Sequence, residues 1–197
     1  MIRPAEQSDI TGMVDVHLSA FQNFFLTFLG PRFLELLYRE ILIYPDGIAA
    51  VYVEDKRIKG LVAGTVAPPN FYKHLLRTRW FQFAWAALGT ALRRPVIIPR
   101  LLRAFLYPSQ TSSQSNVATL MSLAVDPQMQ GKGIGQKLVK AFQDEALRRG
   151  VRHVNLTTDR LNNDSVNRFY QKLGFHCKRM YITPQGREMN EYEITVE

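Results

Sequence analysis

Leu123-Ala124-Val125-Asp126-Pro127-Gln128-Met129-Gln130-Gly131-Lys132-Gly133-Ile134-Gly135 reads as an apolar strand that passes through a glycine-rich turn straight into a helix. Glycine lets backbone N–H groups crowd toward a ligand with no Cβ in the way. The first N–H groups of a helix have no intrahelical partner and sit at the positive end of its dipole. Together they form an anion site suited to a pyrophosphate, to which Lys132 adds a full charge. A plain strand-to-helix connection does not need the three glycines found here within five residues. Two common phosphate loops are excluded by spacing. Gly131-x-Gly133 is followed by Gln136 where a dinucleotide fingerprint needs glycine, and no Gly-Lys-Ser/Thr follows four spacer residues.

Working outward, Gly133 to Arg149 is expected to be a helix with Ile134, Leu138, Val139, Phe142, Ala146 and Leu147 on its buried side. A strand over Val151–Thr158 follows. A helix capped by Asn163 then carries Val166, Phe169, Tyr170 and Leu173 on one face, before a closing hairpin around Pro184-Gln185-Gly186. Upstream lie a strand near Ile2, a helix over Ser8–Phe21 with Ser8 or Asp9 as cap, and a helix from Pro31 bearing Phe33, Leu36, Leu37, Glu40 and Ile41. Ile48–Val53 and Ile58–Val66 form a hairpin across Glu54-Asp55-Lys56-Arg57. This order describes a single α/β domain over 1–197, a mixed central sheet with flanking helices, and a helical insertion at about 67–115 between the third and fourth strands.

Gln130, Gly133 and Gly135, preceded by Leu123-x-Val125-x-Pro127, resemble the acetyl-CoA signature Gln/Arg-x-x-Gly-x-Gly/Ala of the GNAT N-acetyltransferases. Asn163, Phe169, Tyr170, Lys172, Gly174 and Phe175 resemble that family's second pattern, with Val166 where a smaller residue is usual. The resemblance covers roughly 1–66 and 117–197 and implies the acyl-CoA N-acyltransferase fold, with a mostly antiparallel sheet. It further implies that the signature strand splays from its neighbour so that the pantetheine arm pairs with the backbone of Leu123 and Val125. Pyrophosphate contacts are implied for Gln130, Gly131, Lys132, Gly133, Ile134, Gly135 and Gln136, and a pantetheine or phosphate contact for Asn163. Tyr170 would protonate the departing thiolate. A phenol of pKa ~10 is a competent donor to a thiolate whose conjugate acid lies near ~8.5. Taken outside the motif, Tyr170 reads equally well as a core tyrosine.

An ammonium acceptor must lose a proton before it attacks. Many family members carry a glutamate four residues before the signature leucine, where this chain has Thr119 and no acid from Val117 to Val125. Asp159 is the first candidate base, although it also suits a turn cap. Glu188 and Glu191, or a water relay through Thr119 or Ser122, follow it. His17, His74, His153 and His176 show no metal spacing, and no metal is expected.

Net charge is +8, and the ten cations from Lys56 to Arg103 face no acid between Asp55 and Asp126. With Phe71, Tyr72, Trp80, Phe81, Phe83 and Trp85 in the same stretch, the insertion reads as an acceptor wall, a cover or homodimer contact, or a foot on an anionic membrane. No nucleic-acid motif is present. The acceptor reading favours a small, anionic amine such as a nucleotide-linked amino sugar. A protein or membrane-associated amine, or a non-catalytic acyl-CoA sensor, are the alternatives. The polar start lacks an apolar signal core and Cys177 is the single cysteine, so a cytoplasmic setting is expected.

Overall fold

The structure is a computed structural model and describes residues 1–22, 25–93, 116–184 and 186–197. The chain runs β1 (Ile2–Pro4), α1 (Ile10–Ala20), α2 (Phe25–Phe28), α3 (Pro31–Ile43), β2 (Gly47–Glu54), β3 (Arg57–Thr65), α4 (Pro68–His74) and α5 (Trp80–Arg93). It continues through β4 (Val117–Val125), α6 (Ile134–Arg148), β5 (His153–Asp159), α7 (Asp164–Lys172), β6 (His176–Ile182) and β7 (Glu188–Thr195). The strands form one seven-stranded sheet in the order β1-β2-β3-β4-β5-β7-β6. Only β4 and β5 pair in parallel, so the sheet is mixed and mostly antiparallel, as expected.

Each face of the sheet has its own core, because neither face reaches water through the central strands. On one, α1, α3 and the insertion bury Met13, Leu34, Tyr38, Leu61, Ala63, Phe71 and Phe83. On the other, α6 and α7 bury Leu138, Phe142, Val154, Leu156, Tyr170 and Tyr192. The β2–β3 hairpin turns on Asp55 and Lys56, both at positive φ (49° and 61°). Two such residues in succession match the right-handed twist of the strands they join.

Local capping departs from the sequence reading in two places. Asp9 does precede α1, but its carboxylate turns to Arg3 (2.6 and 2.8 Å) and to the Glu6 N–H (2.8 Å). The Arg3 guanidinium holds that carboxyl below the usual range. Asn163 likewise precedes α7 without capping it, because its side chain is taken by β5.

The insertion begins as one continuous helical rod. Pro68 starts α4 in the first turn, where a missing N–H costs nothing, and a π-helical stretch, Leu75–Arg79, leads into α5. The rod docks on α3 through Phe83 against Phe33 (ring centroids 4.9 Å apart). Glu40, buried on the apolar face of α3, meets Arg79 at 2.9 Å and His74 at 3.3 Å. The short helix expected over Pro99–Leu106 lies outside the described residues.

Candidate active site

The parallel pairing of β4 with β5 stops after three rungs, Val117↔His153, Ala118↔Val154 and Thr119↔Asn155. At the last rung Thr119 Oγ1 donates to Asn155 Oδ1 at 2.6 Å, inside the protein. Beyond it β4 keeps pairing with β3 as far as Val125, while β5 keeps pairing with β7 as far as Asp159. Among the described residues no ladder crosses the gap. A wedge therefore opens between Leu120–Val125 and 156–159, with Leu123 and Val125, both half-buried, on its β4 edge.

The wedge leads to the glycine loop. Asp126 anchors the turn by accepting from the Gln128 N–H (3.0 Å) and from Lys59 Nζ (2.8 Å). Met129 plugs the core beneath, with Lys132 Nζ 3.3 Å from its sulfur. Gly131 and Gly133 both adopt positive φ (79° and 73°), and a Cβ at either would meet no atom within 4 Å. Gly133 precedes α6 with no side-chain cap, so the first N–H groups of a 15-residue helix, at Ile134, Gly135 and Gln136, are left without that partner. Gln130, Lys132 and Gln136 are exposed around it. Gly135 differs from the other two glycines: a Cβ there would lie 3.3 Å from Phe169 Cζ, so its smallness lets α7 approach α6.

Tyr170 stands on α7 next to Phe169, the residue that lies over Gly135. Its ring packs against Phe169, Phe175 and Tyr192 (centroids 5.1, 5.6 and 6.2 Å away). Burial raises its pKa well above 10, so the phenol remains a protonated donor. The start of α7 is sewn to the end of β5. Asn163 Nδ2 donates to Thr158 Oγ1 (2.7 Å) and the Asp159 carbonyl (3.1 Å), and Asn167 Nδ2 donates to the same carbonyl (3.0 Å). Asn167 Oδ1 in turn accepts from Asn190 (2.9 Å) and the Tyr192 hydroxyl (3.0 Å).

The candidate bases separate by their partners. Both oxygens of Asp159 are taken by Arg187, at 2.7 and 2.8 Å. Glu188 is a half-buried partner of Arg160 at 3.0 Å. Glu191 is fully buried on β7, opposite Thr157 of β5 and therefore one strand from the wedge. One of its oxygens meets Arg179 Nε at 2.5 Å, while Oε1 has no hydrogen-bond partner. Tyr181 bonds Thr157 beside it. Tyr72, from the insertion, comes close to Tyr181, and burial pushes the Tyr72 hydroxyl up to about 12. Thr119 is committed to Asn155, and Ser122 bonds Tyr38, whose hydroxyl lies 2.6 Å from His17 Nδ1. That buried His17–Tyr38–Ser122 chain joins three elements, and the sequence carried no local signal for it. Among the described residues no cluster of His, Cys, Asp or Glu is arranged to hold a metal.

The sequence model of the Acetyltransferase (GNAT) family matches residues 18–175. Among curated proteins, the [Ribosomal protein bS18]-alanine N-acetyltransferase of Escherichia coli K12 is 37% identical over 75 residues, which is 36% of this chain and 50% of that protein. The match thus spans half the length of that relative. The crystal structure of the ribosomal-protein-S18-alanine N-acetyltransferase from Escherichia coli superposes with a TM-score of 0.61 at 16% identity, covering 100% of this chain and 94% of the other. An N-acetyltransferase from Staphylococcus aureus Mu50 gives 0.64 at 18% identity, covering 100% and 98%. At such identities the structural likeness speaks for the fold.

Proposed function

The chain belongs to the GNAT family of acetyltransferases, and on that premise we propose that it moves the acetyl group of acetyl-CoA onto a primary amine. The observation that carries this reading is the wedge between β4 and β5 leading into an open glycine loop at the start of a long helix. The wedge offers an unpaired strand edge at Leu123 and Val125 for an extended amide-bearing arm. The loop from Gln130 to Gln136 offers N–H groups, the helix dipole and Lys132 for phosphates.

In the reaction the acceptor ammonium gives a proton to a base, and its nitrogen attacks the thioester carbonyl. The C–S bond then breaks and Tyr170 protonates the leaving sulfur. For the base we favour Glu191 over Asp159. Arg187 engages both oxygens of Asp159, whereas Glu191 keeps one oxygen unpaired in a water-poor place. Asn163 acts on the site from behind, by holding the end of β5.

The acceptor class follows from charge. An anionic acceptor such as a nucleotide-linked amino sugar needs the insertion's cations at the wedge. Of those described, Arg79 is paired with Glu40, and Lys73 and Arg77 face solvent. The carboxylates of Glu191 and Asp159, with Tyr72 and Tyr181, suit a plain ammonium, and the Escherichia coli relative named for alanine N-acetylation makes a peptide N-terminus the first acceptor to try. Release of free thiol from acetyl-CoA is measured with a panel of N-terminal peptides, small amines and amino sugars, alongside calorimetry of coenzyme A. Binding without turnover on any amine would replace the enzyme by an acyl-CoA sensor, and failure to bind would remove the reading altogether.

A further inference from the structure

We propose that the solvent face of α5 is a foot that lays the protein on an anionic lipid surface. Trp80, Phe81 and Trp85 are 58%, 63% and 66% exposed, the largest concentration of bare aromatic surface among the described residues. They occupy one side of the helix. Phe81 stacks with Trp85 (6.4 Å between centroids, 25° between planes), and Trp80 stands edge-on to Phe81 at 5.7 Å. Monomeric surfaces rarely leave such a patch without a use.

The rings have no inward alternative. Phe71, Leu75 and Phe83 already fill the opposite side of the rod, and Glu40 grips Arg79 and His74 from the core. The rod therefore presents its aromatic side outward. Exposed Lys73 and Arg77 lie on the helical turns that lead into it, and the sequence places no acid between Asp55 and Asp126. Trp and Phe at the level of lipid headgroups, with cations beside them, are the two components of interfacial attachment. No helix among the described residues is long and apolar enough to cross a membrane, so the contact lies along the surface.

Charge argues against two other occupants. A second copy brought face to face would bring together two surfaces that both carry Lys73 and Arg77, on a chain of net charge +8. Nucleic acid would fit the cations. It needs ring faces free to stack on bases, however, and here the rings are turned on one another. The inference does not depend on the catalytic reading.

Trp80 and Trp85 are the two tryptophans of the chain, so intrinsic fluorescence reports on this face alone. The full chain is titrated with vesicles of phosphatidylcholine, with or without phosphatidylglycerol, and binding is checked by co-sedimentation. The expected result is a blue shift and sedimentation with the anionic vesicles only. Added salt should reverse it as the Debye length falls from ~10 Å at 0.1 M to ~3 Å at 1 M. Phe81→Ser keeps both reporters and should weaken binding about tenfold by removing one buried ring. Lys73→Glu with Arg77→Glu should do so by at least tenfold, at roughly fivefold per lost charge. Melting curves confirm that each variant is folded. No response to anionic vesicles overturns the proposal, as does emission already blue in the free protein, which would mean that the rings are covered. A blue shift that grows with protein concentration alone would assign the face to a second copy. A response to a single-stranded oligonucleotide and not to vesicles would assign it to nucleic acid.

Discussion

Replacing Tyr170 by Phe tests the assignment of the proton donor with little structural disturbance. The ring contacts with Phe169, Phe175 and Tyr192 are made by carbon and survive the change. No described residue hydrogen-bonds the hydroxyl, so the folded protein loses no partner, and stability should move by less than about 1 kcal/mol. The rate should respond far more. A positioned acid is worth roughly 10²- to 10⁴-fold, or about 2.7 to 5.5 kcal/mol of barrier at 1.36 kcal/mol per tenfold. Thiol release at saturating acetyl-CoA and amine should fall by that factor while the calorimetric coenzyme A affinity holds. Burial adds a second signature. It raises the phenol pKa above 10, so in the wild-type protein no falling limb of the pH–rate profile below about pH 10 belongs to Tyr170. Turnover within about threefold of wild type in Tyr170→Phe would refute the assignment. So would an alkaline limb near pH 8 to 9 that disappears with the hydroxyl.

The remaining predictions concern the loop, the base and the buried histidine. Gly133→Asp places a carboxylate at an open αL position and should weaken coenzyme A binding at least ~tenfold at a stability cost of about 1 kcal/mol, whereas Gly135→Ala should mainly lower the melting temperature as its Cβ presses on Phe169. Both are read by calorimetry and thermal melts, and equal effects on binding would count against the division of roles. Glu191→Gln should cut turnover at neutral pH about 100-fold, while Asp159→Asn should cost stability through Arg187 with a smaller loss of rate. The reverse order would return the base to Asp159. His17 is buried with its pKa lowered to about 4 from 6.5, so the unfolded chain binds the proton first. Its contribution to stability is complete above pH 6.5 and is lost as pH falls toward 4, by about 3 kcal/mol in order of magnitude. Denaturant midpoints across that window should drop, and a His17→Gln variant should flatten the drop.

The features that a short run of residues can specify were readable in advance. β4 spans Val117–Val125 as the apolar run indicates, and the glycines bring the chain into α6 where the anion argument places them. What depends on distant partners was not. Asp159 and Glu191 differ as candidate bases because Arg187 reaches one and Arg179 only half-satisfies the other, a matter of strand register across β5, β7 and β6. Asn163 has the composition of a cap, but Thr158 and the Asp159 carbonyl compete for its amide and win. Glu40 did leave a trace, as an acid on the apolar stripe of α3. Its partners 34 and 39 positions later in the chain, His74 and Arg79, were not legible from it. Gly135, grouped with its neighbours by spacing, separates from them only once Phe169 is seen above it.

The seven strands are laid out like an open book. One cover is β1 to β4, with α6 bound to it along β2, β3 and β4, and the other is β5, β7 and β6, drawn from the contiguous stretch 153–195. The spine is three residue pairs long, and a split begun at the open end would run down it if nothing stopped the tear. The buried Thr119–Asn155 bond stands where the pages part and acts as the stitch that arrests it. Each cover keeps its own register beside the gap, β4 on β3 and β5 on β7. The gap between the two covers is thereby kept from running on through the sheet.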